Sequence, residues 1–221
     1  KFTSDMSVED SEKLAVNLGI KHSVIPIGEI YESFADSLED EFSGLEPDIT
    51  EENLQSRCRG VILMALSNKS GELVLTTGNK SETAVGYSTL YGDTAGGFGV
   101  LKDVPKTLVY DLSRYRNTIS HVIPDRIIDR PPSAELAPDQ QDSDSLPDYA
   151  ILDKIIELYV EQDKSKAEIE ASGIEKSMVD RVIRLIDLSE YKRRQAPLGV
   201  KITSRGFGKD RRYPITNKFL K

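Results

Sequence analysis

Apolar residues recur at the three- and four-residue spacing of amphipathic helices along most of the chain. The pattern predicts helices over about residues 7–18, 30–44, 50–68, 106–115, 151–160 and 178–186, with a short one through Ala84 and Val85. Gly19 is expected to end the first helix, and Ser165 with Glu168 is predicted to form a capping box. The last third of the chain is therefore predicted to be helical.

Two short apolar runs interrupt the helical pattern and predict β-strands. The first covers residues 23–27, where Pro26 weakens the pairing because it has no backbone N–H to donate. The second covers residues 73–75 and is expected to be a buried strand. Helices that alternate with strands are typical of the α/β class.

Composition excludes several classes of protein. The 221 residues are 38% apolar and 30% charged, as in a globular protein of one large or two small domains. No apolar stretch reaches the roughly 20 residues of a membrane helix, and the first residues lack the plan of a signal peptide. Cys58 is the single cysteine and there are two histidines, which argues against disulfides and structural zinc and favours the reducing cytoplasm.

The net charge of -8 is distributed unevenly. Residues 29–52 hold ten acidic side chains and no basic one, which is typical of a solvated helix face and loop. Residues 181–221 hold twelve basic side chains against three acidic ones. This basic segment has three possible explanations: exposed surface next to a helix C-terminus, binding of phosphate ligands, or binding of nucleic acid. Composition does not choose among the three.

The segment TTGNKSE at residues 76–82 is the main candidate for chemistry. It places hydroxyls, an amide, a cation and a carboxylate just beyond the strand predicted at 73–75, where open α/β sheets collect ligands. The alternative is an ordinary turn, since Gly-Asn is common turn chemistry and Ser-Glu also starts helices.

Three further segments carry candidate ligand-binding features. Asn53, Arg57 and Gly60 share one side of the predicted third helix, although helical arginines are usually solvated or paired. The glycine-rich loop at 91–99 suits a mobile lid, a phosphate cradle or a flexible connection, and it is not a Walker A sequence. Lys106 opposes the dipole at its helix start, so we expect it to meet an anion rather than to lean into solvent.

A long polar connection spans about residues 130–148 and contains four prolines. Loops of this length are uncommon inside compact domains, and they often act as lids or binding segments. The alternative is a disordered linker.

Five motifs, in order along the chain, resemble glutamine-dependent NAD+ synthetases. They are ENLQSRCRG at 52–60, TTGNKSE at 76–82, YSTLYGDTAGGFGVLKDVPKT at 87–107, RPPSAEL at 130–136, and YKRRQAP with FGKDRRYPI near the end. The resemblance implies a Rossmann-like adenine nucleotide α hydrolase fold with a parallel sheet. Residues 1–221 would form the C-terminal part of one such domain, with the loop at 130–148 and a helical, basic part at 149–221.

The resemblance also implies an activity. It is the ATP-dependent amidation of deamido-NAD+ to NAD+ through an adenylated intermediate, with Mg2+ and with ammonia from an amidase domain of the same full-length protein. A homo-oligomer is expected, with no nucleic acid or membrane as partner. The catalysis implied is mainly electrostatic, so no proton-transfer residue is assigned. Two alternatives remain: another ligase of the ATP-pyrophosphatase type, and an RNA-binding module that uses the basic end.

The family's roles are carried over by position. Lys106 and Glu82 resemble its catalytic pair, with Glu82 also linked to magnesium. The ATP contacts implied are Arg59, Thr77, Lys106 and Ser133. The deamido-NAD+ contacts implied are Asn53, Glu82, Tyr87, Asp93, Lys192, Arg193 and Arg194, with Tyr87 as a stacking surface for the pyridine ring. The extra arginine leaves open which of the last three contacts the dinucleotide, and Gly97 stands where smaller relatives have an aspartate.

One motif of the family has no counterpart in these residues, the loop Ser-Gly-Gly-x-Asp-Ser. The chain is therefore expected to be an N-terminally truncated fragment, with the absent strands lying between those at 23–27 and 73–75. Such a fragment would expose sheet edges. We expect that alone it neither folds stably nor binds ATP tightly and is inactive, and that Cys58 does not replace the amidase nucleophile.

Overall fold

The computed structural model describes residues 3–216, so the last basic residues, Lys218 and Lys221, lie outside the described part. Helices dominate it. They are α1 (Asp5–Leu18), α2 (Gly28–Ser37), α3 (Ile49–Ser70), α4 (Lys80–Val85), α5 (Lys106–Ile119), α6 (Asp125–Asp129), α7 (Tyr149–Ile156), α8 (Lys166–Glu170), α9 (Lys176–Leu188) and α10 (Glu190–Arg193). A 3-10 turn covers Asp142–Asp144, and α7 continues into a π-helical turn at Glu157–Glu161.

Three strands of two residues form one parallel sheet in the order β1 (Leu75–Thr76), β2 (Phe98–Gly99) and β3 (Leu198–Gly199). The middle strand pairs Phe98 with both Leu75 and Leu198. A parallel sheet among helices confirms the predicted α/β class with a helical C-terminal part.

The two strand predictions fare differently. The strand predicted at 23–27 is wrong, because residues 23–27 lie outside β-structure; residues 23–26 are exposed, and Pro26 has no N–H to donate. The second strand exists at Leu75–Thr76 but is not buried, since 56% of Leu75 is exposed. β1 lies at an edge of the described sheet, and the described residues leave Leu75 uncovered.

The hydrophobic core lies in the C-terminal half, where α4, α7 and α9 pack together. Ala84, Ile155 and Ile183 are almost fully buried at their junction. Complete burial of such aliphatic side chains stabilises a protein by about 1.5–3 kcal/mol each. The short α4, which follows the TTGNKSE segment, is thus anchored in the most densely packed part of the molecule.

Helix ends follow local hydrogen bonding. Ser4 caps α1, which begins at Asp5, before the predicted start at residue 7; the hydroxyl of Ser7 bonds to Glu135. Asp48 caps α3, which begins at Ile49, one residue before the predicted start. The capping box of Ser165 and Glu168 is confirmed.

Within the basic C-terminal part, α10 packs against α9 and β3 pairs with β2 as the third strand of the sheet.

None of the helices within residues 3–216 combines the length and the apolar character that a bilayer crossing demands. The longest one, α3, carries Glu51, Arg57 and Lys69 along its length.

Candidate functional site

A cleft of about 560 Å3 opens beyond β1, between the starts of α4 and α5, and is closed on one side by α3 and on another by the loop at 130–148. Eight of the eleven residues singled out from the sequence line this one cleft. They are Asn53, Arg59, Thr77, Glu82, Tyr87, Asp93, Lys106 and Ser133. The fold therefore places in one cleft predicted residues that are up to 80 positions apart in the sequence.

The TTGNKSE segment forms a helix cap and also a wall of the cleft. Asn79 Oδ1 accepts from the backbone N–H of Glu82 at 3.0 Å, and Glu82 Oε2 accepts from the backbone N–H of Asn79 at 3.2 Å. This capping box fixes the first turn of α4. The segment is therefore both the ordinary helix start that was the alternative interpretation and a lining segment of the cleft.

Glu82 and Lys106 face each other at the starts of two helices. Lys106 Nζ lies 3.1 Å from Glu82 Oε1, and both side chains are less than 20% exposed. Desolvation acts to lower the pKa of Lys106, but the charge of Glu82 and its hydrogen bond, together with Tyr110 and Asp142, outweigh it and raise the pKa. Lys106 is therefore a permanent cation at neutral pH, and it meets an anion, as predicted.

A buried side-chain network holds these two helix starts together. The backbone N–H of Lys106 donates to Ser81 Oγ at 2.8 Å, and Ser81 donates to Asp153 on α7. Asp153 Oδ2 also accepts from the backbone N–H and the hydroxyl of Thr107, at 3.0 and 2.8 Å. An acidic group at the start of α5 suits the helix dipole, which the neighbouring lysine opposes.

The cation of the TTGNKSE segment, Lys80, faces away from the cleft. Its ammonium is fully buried and lies 3.0 Å from Asp103, 2.8 Å from Glu161 and 2.9 Å from the carbonyl oxygen of Arg205. A buried charge is tolerated only when it is paired and hydrogen-bonded, as here. Lys80 therefore joins the C-terminal segment to the base of α4 instead of collecting a ligand.

The glycine-rich loop packs tightly against α3. A Cβ on Gly60 would lie 2.7 Å from the carbonyl oxygen of Tyr91, and one on Gly92 would lie 2.2 Å from Ser56 Oγ. The loop is thus neither a flexible connection nor an open phosphate cradle. Its Asp93 lines the cleft while one carboxylate oxygen accepts from the backbone N–H of Thr89 at 2.6 Å.

Gly97, the departure from the smaller relatives, has a steric explanation. A Cβ at this position would lie 2.1 Å from Leu73 Cδ1. A larger residue would require Leu73 to move, so the contact made by an aspartate elsewhere is not available in this arrangement.

The side of α3 that carries Asn53, Arg57 and Gly60 faces the same loop. Asn53 Oδ1 accepts from the hydroxyl of Thr89 at 2.8 Å and lines the cleft, whereas Arg57 Nε donates to the carbonyl oxygen of Leu90 at 3.2 Å. Arg57 therefore stabilises the loop, and of the predicted pair the amide is the one at the cleft.

Tyr87 lies on the floor of the cleft with its hydroxyl bonded to a buried carboxylate. Its Oη donates to Asp142 Oδ1 at 3.1 Å, and Tyr149 donates to Asp142 Oδ2 at 2.7 Å. Burial first, and then the charge of Asp142, raise the pKa of Tyr87, so the phenol stays neutral.

The long loop at 130–148 is packed, not a disordered linker. Gln55 Nε2 on α3 donates to the carbonyl oxygen of Leu136 at 2.9 Å, and Gln140 donates to Glu52 at 3.0 Å. These bonds hold Ser133 at the cleft wall, where its hydroxyl accepts from the backbone N–H of Glu135.

Thr77 and Arg59 lie on the cleft wall as well, and Arg59 makes a distant contact of 3.4 Å with the hydroxyl of Thr3.

The late basic motif divides into three different environments. Arg193 is buried and donates to the carbonyl oxygens of Ala84 and Ile186, both at 2.6 Å. Arg194 points outward and pairs with Glu190 at 2.7 Å. Neither arginine lines the cleft itself; Arg193 borders a small recess beside it, where its guanidinium is held by these carbonyl oxygens.

Lys192 lies beside the cleft. It lines a small recess that shares Tyr87 and Asp93 with the cleft, and it donates to the carbonyl oxygens of Gly86 and Ser88 at 2.7 Å. Burial lowers its pKa, although the charge of Asp93 opposes this shift.

Other cations of the basic end are paired with nearby groups. Arg205 and Arg211 both bind Asp163, and Lys201 binds Asp210. Such pairing gives little support to the RNA-binding alternative, which needs free cations along one face.

Cys58 is almost fully buried, and burial raises the pKa of its thiol. A buried, neutral thiol is a poor nucleophile, as expected from the sequence.

Sequence reasoning missed Asp142, Tyr149 and Asp153. Each touches a predicted residue or its neighbour, but only folding brings them there, since they lie 46–62 positions from Tyr87 or Thr107. The sequence signal was limited to their positions in a loop and a helix start.

The sequence profile of the family described as NAD synthase matches residues 1–196. The chain is 56% identical, over 218 residues, to the glutamine-dependent NAD(+) synthetase of Acinetobacter baylyi, covering 98% of this chain and 40% of that protein. The chain thus spans about two-fifths of the length of that curated relative.

The solved structures similar to the chain include two glutamine-dependent NAD+ synthetases. One is glutamine-dependent NAD+ synthetase from Acinetobacter baumannii in complex with ADP, with a TM-score of 0.59, 50% identity, and coverage of 97% of this chain and 39% of that one. The other is a glutamine-dependent NAD(+) synthetase from Cytophaga hutchinsonii, with a TM-score of 0.78, 24% identity, and coverage of 97% of this chain and 37% of that one. At this level of identity the similarity supports the fold alone.

Proposed function

The chain belongs to the NAD synthase family, and from this we propose that its cleft carries the ATP-dependent amidation of deamido-NAD+ to NAD+. The activity is that of a carbon–nitrogen ligase in NAD biosynthesis. The relatives are named glutamine-dependent NAD(+) synthetases, which supports NAD+ as the product and deamido-NAD+ as the substrate. The ADP bound by the Acinetobacter baumannii protein supports an adenine nucleotide as the second ligand.

The observation that carries the proposal is the pair of Glu82 and Lys106 inside one cleft. A cation and a carboxylate 3.1 Å apart, each on a fixed helix start, form a site for a polyphosphate that arrives with a divalent ion. On the ATP side we place Lys106 at the phosphates, with Arg59, Thr77 and Ser133 along the same wall.

The dinucleotide is proposed to bind next to the ATP phosphates, with Glu82 between the two ligands. We place Asn53, Glu82, Asp93 and the ring of Tyr87 there, with Lys192 at the adjoining recess. The aromatic ring supplies a flat apolar surface for the pyridine ring of the substrate. We assign no dinucleotide contact to Arg193 or Arg194, because their guanidinium groups are held elsewhere.

In the proposed reaction the nicotinate carboxylate attacks the α-phosphorus of ATP, an O–P bond forms, and the bond to pyrophosphate breaks. Ammonia then attacks the acyl carbon, the C–O bond to AMP breaks, and a proton is released from nitrogen. Negative charge develops on phosphate oxygens in the first step, so the fixed cation Lys106, together with Arg59 on the same wall, favours its transition state. No side chain is assigned a proton transfer.

Magnesium fits this site as part of the ATP complex. Within residues 3–216 no cluster of three or more His, Cys, Asp or Glu side chains is shaped to hold a metal ion. Mg2+ is commonly held by one or two carboxylates together with substrate phosphates, and Glu82 is the carboxylate that would hold it here. Bound there, the ion would neutralise charge on the phosphates.

Ammonia is proposed to come from glutamine through an amidase domain of the same full-length protein, as the name of the relatives suggests. We also propose a cytoplasmic homo-oligomer. The cytoplasmic location is supported by the buried free thiol of Cys58, which suits a reducing compartment.

The homo-oligomer is supported by exposed apolar side chains along one side of α5, namely Leu112, Tyr115 and Ile119, which suit a contact between subunits.

Pyrophosphate exchange tests the proposal directly. The intact gene product that contains these residues is incubated with ATP, labelled pyrophosphate and Mg2+, with and without deamido-NAD+. Label is expected to enter ATP only when deamido-NAD+ is present, because adenylation is reversible before ammonia arrives. Exchange that instead needs xanthylate or a tRNA would assign the cleft to another ATP-pyrophosphatase-type ligase, and exchange with none of these would overturn the proposal.

A further inference from the structure

The buried carboxylate of Asp142 joins three parts of the cleft. It is only 4% exposed, and it lies in the 3-10 turn of the loop at 130–148. Its two oxygens accept from two different phenols, Tyr87 at 3.1 Å and Tyr149 at 2.7 Å. Its backbone N–H donates to the carbonyl oxygen of Pro132 at 3.0 Å, next to Ser133.

Each of the two phenols leads to a different functional group. The ring of Tyr87 lines the cleft floor. The ring of Tyr149 lies 5.3 Å from Lys106 Nζ, within the range of a cation–π contact. A single carboxylate thus fixes the orientation of the candidate stacking ring and of the ring beside the candidate phosphate cation.

We propose that Asp142 is a positioning residue for the dinucleotide: it fixes the plane of the Tyr87 ring and ties that ring to the closing loop. The inference rests on the proposed function, because it assumes that the Tyr87 ring meets the pyridine of the substrate. Asp142 lines the cleft as well, but we assign it no contact with a reacting atom. It acts through the Tyr87 hydroxyl.

Protonation supports this role. Burial and the negative charge of Asp142 raise the pKa values of Tyr87 and Tyr149, so both phenols remain donors. The other titratable groups that face them are Glu52, Glu82 and Lys106. A hydrogen bond from a neutral donor to a charged acceptor is stronger than one between neutral groups.

Three variants of the intact gene product test the proposal: Asp142→Asn, Tyr87→Phe and the double variant. Asp142→Asn is expected to raise the KM and the dissociation constant of deamido-NAD+ by about 10- to 100-fold, as loss of a charged hydrogen bond implies. The KM of ATP should change by a smaller factor than that of deamido-NAD+, because Lys106 keeps its bond to Glu82 when Asp142 is replaced. Tyr87→Phe, which removes only a hydroxyl, should shift deamido-NAD+ in the same direction.

The double variant separates positioning from a general structural role. If Asp142 acts through the Tyr87 hydroxyl, the double variant binds deamido-NAD+ no worse than Asp142→Asn alone. Additive losses, or equal losses for ATP and deamido-NAD+, would overturn the inference. Asp139→Asn makes the same chemical change in the same loop, at an exposed carboxylate that does not line the cleft, and should leave both constants unchanged.

The wild-type measurement distinguishes failure of the inference from failure of the proposed function. A wild-type protein without exchange dependent on deamido-NAD+ refutes the function and, with it, the inference. An active wild type whose KM for deamido-NAD+ is unchanged in Asp142→Asn refutes the inference alone. If Asp142→Asn does not fold, Tyr87→Phe still decides, because an unchanged KM there overturns the proposal.

Discussion

Lys106 Nζ and Glu82 Oε1 lie 3.1 Å apart although the two residues begin different helices. Neither helix start is free to drift, because Ser81 and Asp153 bond to both. Fixed charges of this kind need little reorganisation when a charged ligand arrives.

Replacing the cation should remove most of the activity. Lys106→Met is expected to lower the rate of pyrophosphate exchange by about 100- to 1000-fold, because a fixed positive charge is lost where negative charge develops. Lys154→Met is the matched control, since Lys154 forms a lysine–glutamate pair at 2.9 Å on an exposed surface. Exchange that survives in Lys106→Met at more than half the normal rate would contradict the assignment.

The packing of the glycine-rich loop against α3 predicts the effect of a methyl group. In the intact gene product, Gly60→Ala should destabilise the fold by about 1–3 kcal/mol, because the new Cβ meets the backbone oxygens of Tyr91 and Gly92 at 2.7 and 3.0 Å. Gly28→Ala, at the start of α2, meets nothing within 4 Å and should be neutral or slightly stabilising. The urea concentrations at the unfolding midpoints of the two variants measure this difference. Equal midpoints would show that the glycine-rich loop moves to accommodate the methyl group.

Among the late basic residues, Lys192 should matter most for the dinucleotide. Lys192→Met is expected to raise the KM of deamido-NAD+ about tenfold, because Lys192 holds the backbone on both sides of Tyr87. Arg194→Met should have little effect, since Arg194 is paired with Glu190 outside the cleft. Steady-state kinetics at saturating ATP measure both, and the reverse order of effects would place the dinucleotide elsewhere.

The buried pair of Lys80 and Asp103 predicts a pH dependence of stability. Desolvation acts to raise the pKa of Asp103, but hydrogen bonds from Thr203, Ile202 and Lys80 outweigh it and lower the pKa. A depressed carboxyl pKa stabilises the fold above the unfolded value of about 3.9, and this stabilisation is lost as the pH falls through the folded pKa.

Asp103→Asn should therefore cost about 2 kcal/mol at neutral pH, and less in acid, where the wild-type carboxyl is also protonated. Asp111→Asn is the control, because its partner Arg114 lies 3.7 Å away on the surface and the change should stay within about 0.5 kcal/mol. Urea titrations at several pH values measure both variants. A cost that does not shrink with acidification would argue against the charge as its origin.

Residues 1–221 expressed alone should neither fold stably nor bind ATP tightly. The sheet and its flanks expose Leu73, Leu75 and Leu198, the last of them by 80%, and such apolar surface promotes association. Thermal melting followed by circular dichroism and calorimetric titration with ATP test this. A soluble chain that melts cooperatively and binds ATP with micromolar affinity would refute the prediction.

Local signals in the sequence predicted the helices well. Gly19 and the box of Ser165 and Glu168 work through bonds within one helical turn, so neighbours in sequence suffice to identify them. The strand at residues 23–27 was predicted from the same kind of local pattern and does not form. A strand depends on a partner elsewhere in the chain, which its own residues do not specify.

The candidate site shows the same limit. Family motifs placed eight residues that do share one cleft, yet they gave no indication that Lys80 faces the interior or that Arg193 is enclosed by Ala84 and Ile186. Asp142 was missed because its importance comes from two phenols far away in sequence. Side-chain direction, not residue type, decides these roles.

Lys80 and Glu82 stand two positions apart in one helical turn, and they serve opposite sides of it: one closes the interior, the other faces the cleft. Because each helical residue turns the direction of the side chain by about 100°, the insertion or loss of a single residue here would exchange inside for outside. After such a shift the segment would still contain the same residue types, but their side chains would point in different directions. In comparing distant sequences, the unbroken spacing from Asn79 to Glu82 is therefore more informative than the presence of a lysine and a glutamate.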